Sequence, residues 1–277
     1  MRLAAVVLNY YDSKRVYDLV NELLSYKLFD LIVISDNDSK DENIGLINGL
    51  KDPTVKILYN KKNLGFSGGN NAALDYLKDQ NIDYVYLVNS DVHVEKDLLI
   101  KSKEFLDKND KVAIVSAKMN EYGEEKQNFY NFPTITHYCL DFLGFIKLFH
   151  VKPKIKEKHD DYILVDYIRS SYWCVRYEEF KEVNFFDLET KLYHIETCVG
   201  IKLDKIGYGC AILTNEKYDH NHIYKDGYKM RGYKDSYNSL KYIFKHYYHK
   251  NFIQMGILAS AYYIGLLIRK VMRIKWF

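Results

Sequence analysis

Four polar clusters, each directly following a short apolar run, hold most of the side chains in the first hundred residues that could do chemistry. Asn9-Tyr10-Tyr11-Asp12 follows Leu3 to Leu8, and Asp36-Asn37-Asp38-Ser39 follows Leu31 to Ser35. A long stretch from Asn60 to Asn71 follows Val55 to Leu58, and Asn89-Ser90-Asp91 follows Tyr84 to Val88. Any one of them reads as a turn or a helix cap. Four in succession at the same edge of a parallel sheet read as a ligand edge, because open α/β sheets bind at the carboxyl ends of their strands.

Two of the clusters have a definite chemistry. Asn63, Gly65, Phe66, Gly68, Gly69 and Asn70 stand just before a helical pattern. Glycines let backbone approach a ligand, and a helix N-terminus offers free N–H groups to an anion, so the stretch suits a phosphate or nucleotide. A glycine-rich turn with Asn caps is the plainer alternative. Asp91 closes a buried strand with a carboxylate, the ligand type that Mg²⁺ or Mn²⁺ takes alongside substrate phosphates, while Asn89 would contribute only an uncharged amide oxygen. Further on, Glu196 precedes Val199, Leu203 and Ile206 at helical spacing. There it could cap the helix or act as a general base toward an attacking hydroxyl.

The elements that must position these residues are those of an α/β fold. Branched, apolar runs at 3–8, 31–35, 55–58, 84–88 and 112–117 alternate with helical patterns, the mark of βαβ units and a mainly parallel sheet. Val16, Leu19, Val20, Leu23 and Leu24 predict an amphipathic helix after Asp12-Ser13, with further helices starting near Asn70 and Glu95. Residues 120 to 162 break the rhythm and predict an excursion over the active-site face. Strands near 163–168, 172–176 and 210–214 follow, with helices near 178–183 and 196–206, and helical patterning returns from Asp235 to the end.

In their order, Asn9-Tyr10, Asp36-Asn37-Asp38-Ser39, the Asn63 to Leu74 stretch and Asn89-Ser90-Asp91 resemble the family 2 glycosyltransferases of GT-A fold, in particular their bacterial rhamnosyltransferase-like branch. The resemblance runs over roughly residues 3 to 222. It implies a Rossmann-like, mainly parallel sheet flanked by helices, to which the composition of the tail adds a C-terminal helical membrane-associating extension. It also implies that Asn9, Tyr10, Asp36, Asn37, Asp38, Asn63, Gly65, Phe66, Gly68, Gly69, Asn70, Asn89, Ser90 and Asp91 line the donor site. Asp91, with Asn89, belongs to the DxD-type metal motif holding Mn²⁺ or Mg²⁺. His220, better aligned than His222, falls where some members have a further metal ligand. Register carried through Trp173 to Tyr208 sets Ile195 and Cys198 at positions where the family has acids, and Glu196 at its general base. Tyr172 and Trp173 fall where such enzymes face the acceptor. The implied reaction is an inverting transfer from a nucleoside-diphosphate sugar, a UDP-hexose or dTDP-rhamnose type, to a glycan or lipid-linked saccharide hydroxyl in surface polysaccharide (capsule or cell wall) synthesis. The missing acids leave a second reading open, a non-catalytic protein that binds nucleotide sugar or a partner at the membrane surface.

Composition sets the rest. With 277 residues and 48% apolar content, one main domain is the prior. It divides as 1–224 for the catalytic domain, with a donor half at 1–118 and an acceptor half at 119–224, and 225–277 for a basic aromatic tail. The net charge of +3 conceals +9 on that tail and −6 on the remainder. Phe252 to Ile268 carry no charge over 17 residues, the lower edge of what can span a bilayer, and are bracketed by Lys and Arg. This pattern favours a helix lying in the headgroup region of an anionic membrane surface via 235–277 over a clean span, and over nucleic acid, whose binding would need a continuous basic stripe. Internal packing and a homodimer contact are the alternatives. Four scattered cysteines and a start that reads as a strand predict a cytoplasmic protein, peripheral on the inner face of the cell membrane.

Overall fold

The computed structural model describes residues 1–145, 153–190, 192–221 and 229–271. Its centre is a sheet begun by four parallel strands: β1 (Leu3–Asn9), β2 (Leu31–Asp36), β3 (Val55–Tyr59) and β4 (Tyr84–Val88). Alternation along β1 shows why both faces need covers. Ala5 and Val7 join one core, and Ala4 and Val6 join the other. α1 (Ser13–Ser25) covers the first face, burying Val16, Leu19, Val20 and Leu23 as their spacing predicts. Each such side chain contributes about 1.5–3 kcal/mol when fully buried. The short α2 (Ile44–Asn48) and α4 (Lys96–Lys108) lie on that face, and α3 (Gly65–Tyr76) on the other.

β5 (Val92–His93) and β6 (Val112–Glu121) lead into the predicted excursion. It contains β7 (Glu124–Lys126), β8 (Phe129–Tyr130), α5 (Ile135–Phe142) and β9 (Glu157–Lys158). The stretch expected as one strand over 163–168 is two: β10 (Tyr162–Val165) stays in the large sheet, whereas β11 (Tyr167–Ile168) leaves it to pair with β8. β12 (Tyr172–Arg176) runs antiparallel between β4 and β6. α6 (Tyr177–Glu182) and α7 (Ile195–Lys205) then lead to β13 (Gly209–His220), which is much longer than the predicted 210–214 and shifts register between Leu213 and Lys217. Among the described residues the large sheet has eleven strands, ordered β3-β2-β1-β4-β12-β6-β13-β10-β9, with β5 on β13 and β7 on β6.

The tail forms α8 (Lys229–His246) and α9 (Phe252–Val271). With α5 they enclose a third core of Phe142, Tyr237, Leu240, Phe244, Leu258, Ala261 and Tyr262. A fourth, of Cys198, Ile201, Ile243 and Tyr247, fastens α8 to α7.

Candidate active site

The ends of β1 and β2 are tied together by buried polar groups. Asn9 Nδ2 donates to Asp36 Oδ1 at 2.7 Å and to Ser13 Oγ at 3.0 Å, while Asp36 Oδ2 accepts from the Ser39 amide at 3.2 Å. Asn37 donates from Nδ2 to the Gly65 carbonyl at 3.0 Å and accepts from Asn60 Nδ2 at 2.9 Å. Ser35 Oγ donates to the Gly69 carbonyl at 2.7 Å. A side chain on Gly69 would stand 2.4 Å from Leu8 Cδ1 and 2.7 Å from Asn37 Nδ2, so α3 seats directly on the strand ends only because that position is glycine. The helix expected near Asn70 therefore starts at Gly65, and most of the glycine stretch is its first turns.

This separates the predicted donor residues into two groups. Asn9, Asp36, Asn37, Gly69 and Asn70 are buried: Asn9 and Asp36 tie β1 to β2, Asn37 and Gly69 lock α3 to the strand ends, and Asn70 Nδ2 bonds back to the Phe66 carbonyl within α3 at 2.9 Å. Tyr10, Asp38, Asn63, Gly65, Phe66, Gly68, Asn89, Ser90 and Asp91 are exposed or partly exposed around it. Asp38 turns the chain with a left-handed φ of 60°, a conformation that Asp tolerates better than most residues. A groove of about 790 Å³ runs from Asn63, Gly65 and Gly68 to Leu188 and Thr190. Its two walls are joined where Asn71 Nδ2 donates to the Phe186 carbonyl at 2.9 Å and the Phe186 amide returns to Asn71 Oδ1 at 3.1 Å.

Asn89-Ser90-Asp91 makes a tight turn closed by the Val92 amide on the Asn89 carbonyl at 3.1 Å. Ser90 Oγ donates to Asp12 Oδ2, whose other oxygen meets Arg15 Nε at 2.8 Å. Immediately after the turn, β5 pairs antiparallel with β13, setting Val92 opposite His220. His220 Nε2 thus stands 3.2 Å from Asp91 Oδ1, both side chains being only 8% and 10% exposed. His220 sits on the strand itself, not after it, and His222 lies outside the described residues. Among the described residues no group of three or more Asp, Glu, His or Cys side chains could hold a metal. A carboxylate oxygen and an imidazole nitrogen converging on one point are nevertheless a donor pair that fits Mn²⁺, with phosphate oxygens to complete it.

Glu196 is the second residue of α7. Its Oε1 accepts from Ser170 Oγ at 2.7 Å and from the Ser170 amide at 3.2 Å. The next residue, Ser171, accepts the Asn89 amide on its carbonyl at 3.0 Å. Consecutive serines therefore hold Glu196 on one side and the Asn89-Ser90-Asp91 turn on the other. Sequence reasoning missed Ser170, Ser171 and Asp12. Asp12 could have been found as the fourth member of its own cluster, and the serines as the residues that open β12. Ile195 and Cys198, where the family has acids, are buried in apolar cores. Burial pushes the Cys198 thiol up to about 12.

Tyr172 and Trp173 need correction. Expected to face an acceptor, both are fully buried, because β12 lies between two strands with a core on each face. Tyr172 points into the first core with its hydroxyl 2.8 Å from Ser102 Oγ, and Trp173 stacks on Phe186 at 5.8 Å in the second. Asp187 and His194, which come before α7, are instead tied to the helical tail and the excursion. Asp187 Oδ2 accepts from Tyr242 at 2.8 Å and Tyr247 at 2.6 Å, and His194 Nε2 meets Ser236 Oγ at 3.0 Å. The excursion reaches the same place through Tyr138, whose ring stands 5.4 Å from that of His194.

An open α/β sheet that gathers amides, glycines and carboxylates at its carboxyl edge, with Glu196 linked to the Asp91 turn through Ser170 and Ser171, has the frame of the GT-A fold. The chain belongs to the Glycosyl transferase family 2, whose profile matches residues 5–176. No curated protein matches it by sequence. Among solved structures it is similar to the mannosyltransferase PcManGT from Pyrobaculum calidifontis in complex with GDP-Man and Mn²⁺, with a TM-score of 0.61 and 13% identity over 95% of this chain and 69% of that one. It is also similar to S. aureus TarS 1-349 in complex with UDP-GlcNAc, with a TM-score of 0.60 and 16% identity over 94% of this chain and 71% of that one. A third, GalNAc-T7 with UDP, GalNAc and Mn²⁺, has a TM-score of 0.60 at 12% identity, covering 87% of this chain and 48% of that one.

Proposed function

We propose that the protein is an inverting, metal-dependent glycosyltransferase that moves a sugar from a nucleoside diphosphate, a UDP-hexose or dTDP-rhamnose type, to a glycan hydroxyl. The acceptor in this reading is a lipid-linked saccharide of bacterial surface polysaccharide synthesis, met at the cytoplasmic face of the membrane. The observation that carries the chemistry is the Ser170-Ser171 link, which holds a carboxylate and the Asp91 turn in one place. Family membership and the nucleotide-sugar complexes of the structural neighbours support the donor class.

Each residue then has a task. The first turns of α3 and the exposed groups around them hold the nucleotide and its phosphates. Asp91 and His220, with Asn89 beside them, would hold Mn²⁺ or Mg²⁺. When bound, such an ion neutralises charge on the departing diphosphate. Glu196 Oε2 takes the acceptor proton as the hydroxyl oxygen forms its bond to the anomeric carbon and the bond to the diphosphate breaks. Ser170 occupies Oε1 and so aims the other oxygen. Attack opposite the leaving group gives inversion.

A panel of nucleotide sugars with Mn²⁺ and a membrane extract as acceptor source tests the reading. Glu196→Gln should lower transfer by about a hundredfold or more while calorimetric binding of the nucleotide stays near that of the parent. Wild-type transfer by Glu196→Gln would remove the assignment. Nucleotide-sugar binding without turnover of any donor by the parent would favour the non-catalytic reading.

A further inference from the structure

Asp235 is the last acidic residue of the chain, and residues 236–277 carry seven Lys or Arg with no Asp or Glu. Within this stretch α9 is apolar on two opposite sides that have different fates. Leu258, Ala261, Tyr262 and Gly265 are buried. Phe252, Ile253, Ile257, Tyr263, Ile264 and Leu267 are 50–90% exposed and fall within an arc of roughly 140° at 100° per residue. A soluble helix would place polar side chains there.

The inner side is committed to protein. The Tyr262 ring stacks on Tyr237 at 3.9 Å, and Gly265 passes so near Phe142 that a Cβ would stand 2.1 Å from its carbonyl oxygen. Arg269 donates to that same carbonyl and to Tyr233 Oη, the latter at 3.0 Å. α8 is in turn fastened to the catalytic body by its tyrosine bonds to Asp187 and by the core it shares with α7. The 20-residue α9, with mean hydropathy 1.4, has the length to cross a bilayer. Crossing would pull Arg269 from the Phe142 carbonyl and Tyr233 and open the third core.

We infer that α9 lies in the plane of an anionic membrane, its outward side sunk among the acyl chains and its inner side still packed on α5 and α8. Lys245, Lys250 and Lys270 flank the apolar arc, and anionic headgroups complement them. A second copy of the chain seated on this face would bring an equally basic, acid-free segment against it, so lipid is the occupant the charges select. The inference sharpens the membrane placement proposed above, but it rests on α9 alone.

Full-length protein mixed with phosphatidylcholine vesicles, with or without phosphatidylglycerol, tests it by co-sedimentation. The parent should bind only the anionic vesicles, less tightly at high salt. The double variant Ile257→Asp/Ile264→Asp changes two exposed positions, so its circular dichroism and donor hydrolysis should match the parent while vesicle binding falls about tenfold or more. Alkaline carbonate should strip the parent from cell membranes, as it does not strip a spanning helix. Equal vesicle binding by parent and double variant, binding to neither vesicle, resistance to carbonate, or a parent dimer that the double variant splits would each overturn the inference. Loss of donor hydrolysis in the parent itself would instead count against the proposed reaction.

Discussion

Asp91 Oδ1 and His220 Nε2 stand 3.2 Å apart because the two-residue strand β5 folds back on the far end of β13. A carboxylate at the end of one strand thereby gains a nitrogen donor from the last strand of the catalytic sheet. In the proposed metal site the pair would compensate for the uncharged amide of Asn89.

If both side chains hold the cation, losing either should be felt first in metal affinity. His220→Ala should raise the Mn²⁺ concentration for half-maximal transfer by about 10- to 100-fold, and Asp91→Asn by at least as much. Transfer rates measured across a Mn²⁺ titration decide this. An unchanged titration curve in His220→Ala would confine the histidine to a structural part.

Ser170 bonds Glu196 Oε1, so if Glu196 is the base the serine hydroxyl should matter to rate more than to donor binding. A hydrogen bond to a charged group is worth about 1.5–3 kcal/mol. Ser170→Ala should therefore lower kcat by about tenfold or more with the donor KM unchanged, and Ser170→Thr should restore most of it. A loss confined to KM would place Ser170 in donor binding instead.

Gly69 and Gly45 make a matched pair of probes. At Gly69 a methyl group would collide with Leu8 and Asn37, whereas nothing lies within 4 Å of one at Gly45. Gly69→Ala should cost about 1–3 kcal/mol, and Gly45→Ala, inside a helix, should gain about 0.4–1 kcal/mol. Chemical denaturation of the two variants gives the signs directly.

His194, packed against Ser236 and the Tyr138 ring, is held by burial at about 4, well below its ordinary 6.5. Between these values the unfolded chain binds the proton and the folded one resists it, so stability falls as pH drops through this window and is constant with respect to this group above it. Thermal melts from pH 7 to 4 should show that slope. His194→Asn keeps a residue type that accepts the left-handed φ of 63° found there and should flatten it.

What could be read in the sequence was local. A strand that ends in a polar cluster betrays itself within ten residues, so the polar strand ends from Asn9 to Asp91, the α/β class and the place of Glu196 in the first turn of a helix were all visible in periodicity and residue type. The same local view found the tail's apolar run and its basic flanks. It did not separate the predicted donor residues that touch solvent from Asn9, Asp36 and Asn37, whose amides and carboxylate are consumed in tying β1 to β2 and α3 to the strand ends. Nor did it see that Tyr172 and Trp173 are core. A two-residue period says that neighbours point to opposite faces but not whether both faces are covered, and only the insertion of β12 between β4 and β6 decided that. Asp91 with His220, and Ser170 with Glu196, likewise depend on strand order and antiparallel register, which are set by the summed packing of distant segments. On α9 the sequence determined that the helix is apolar. The tertiary structure decided which side is spent on Phe142 and Tyr237 and which is left facing outward.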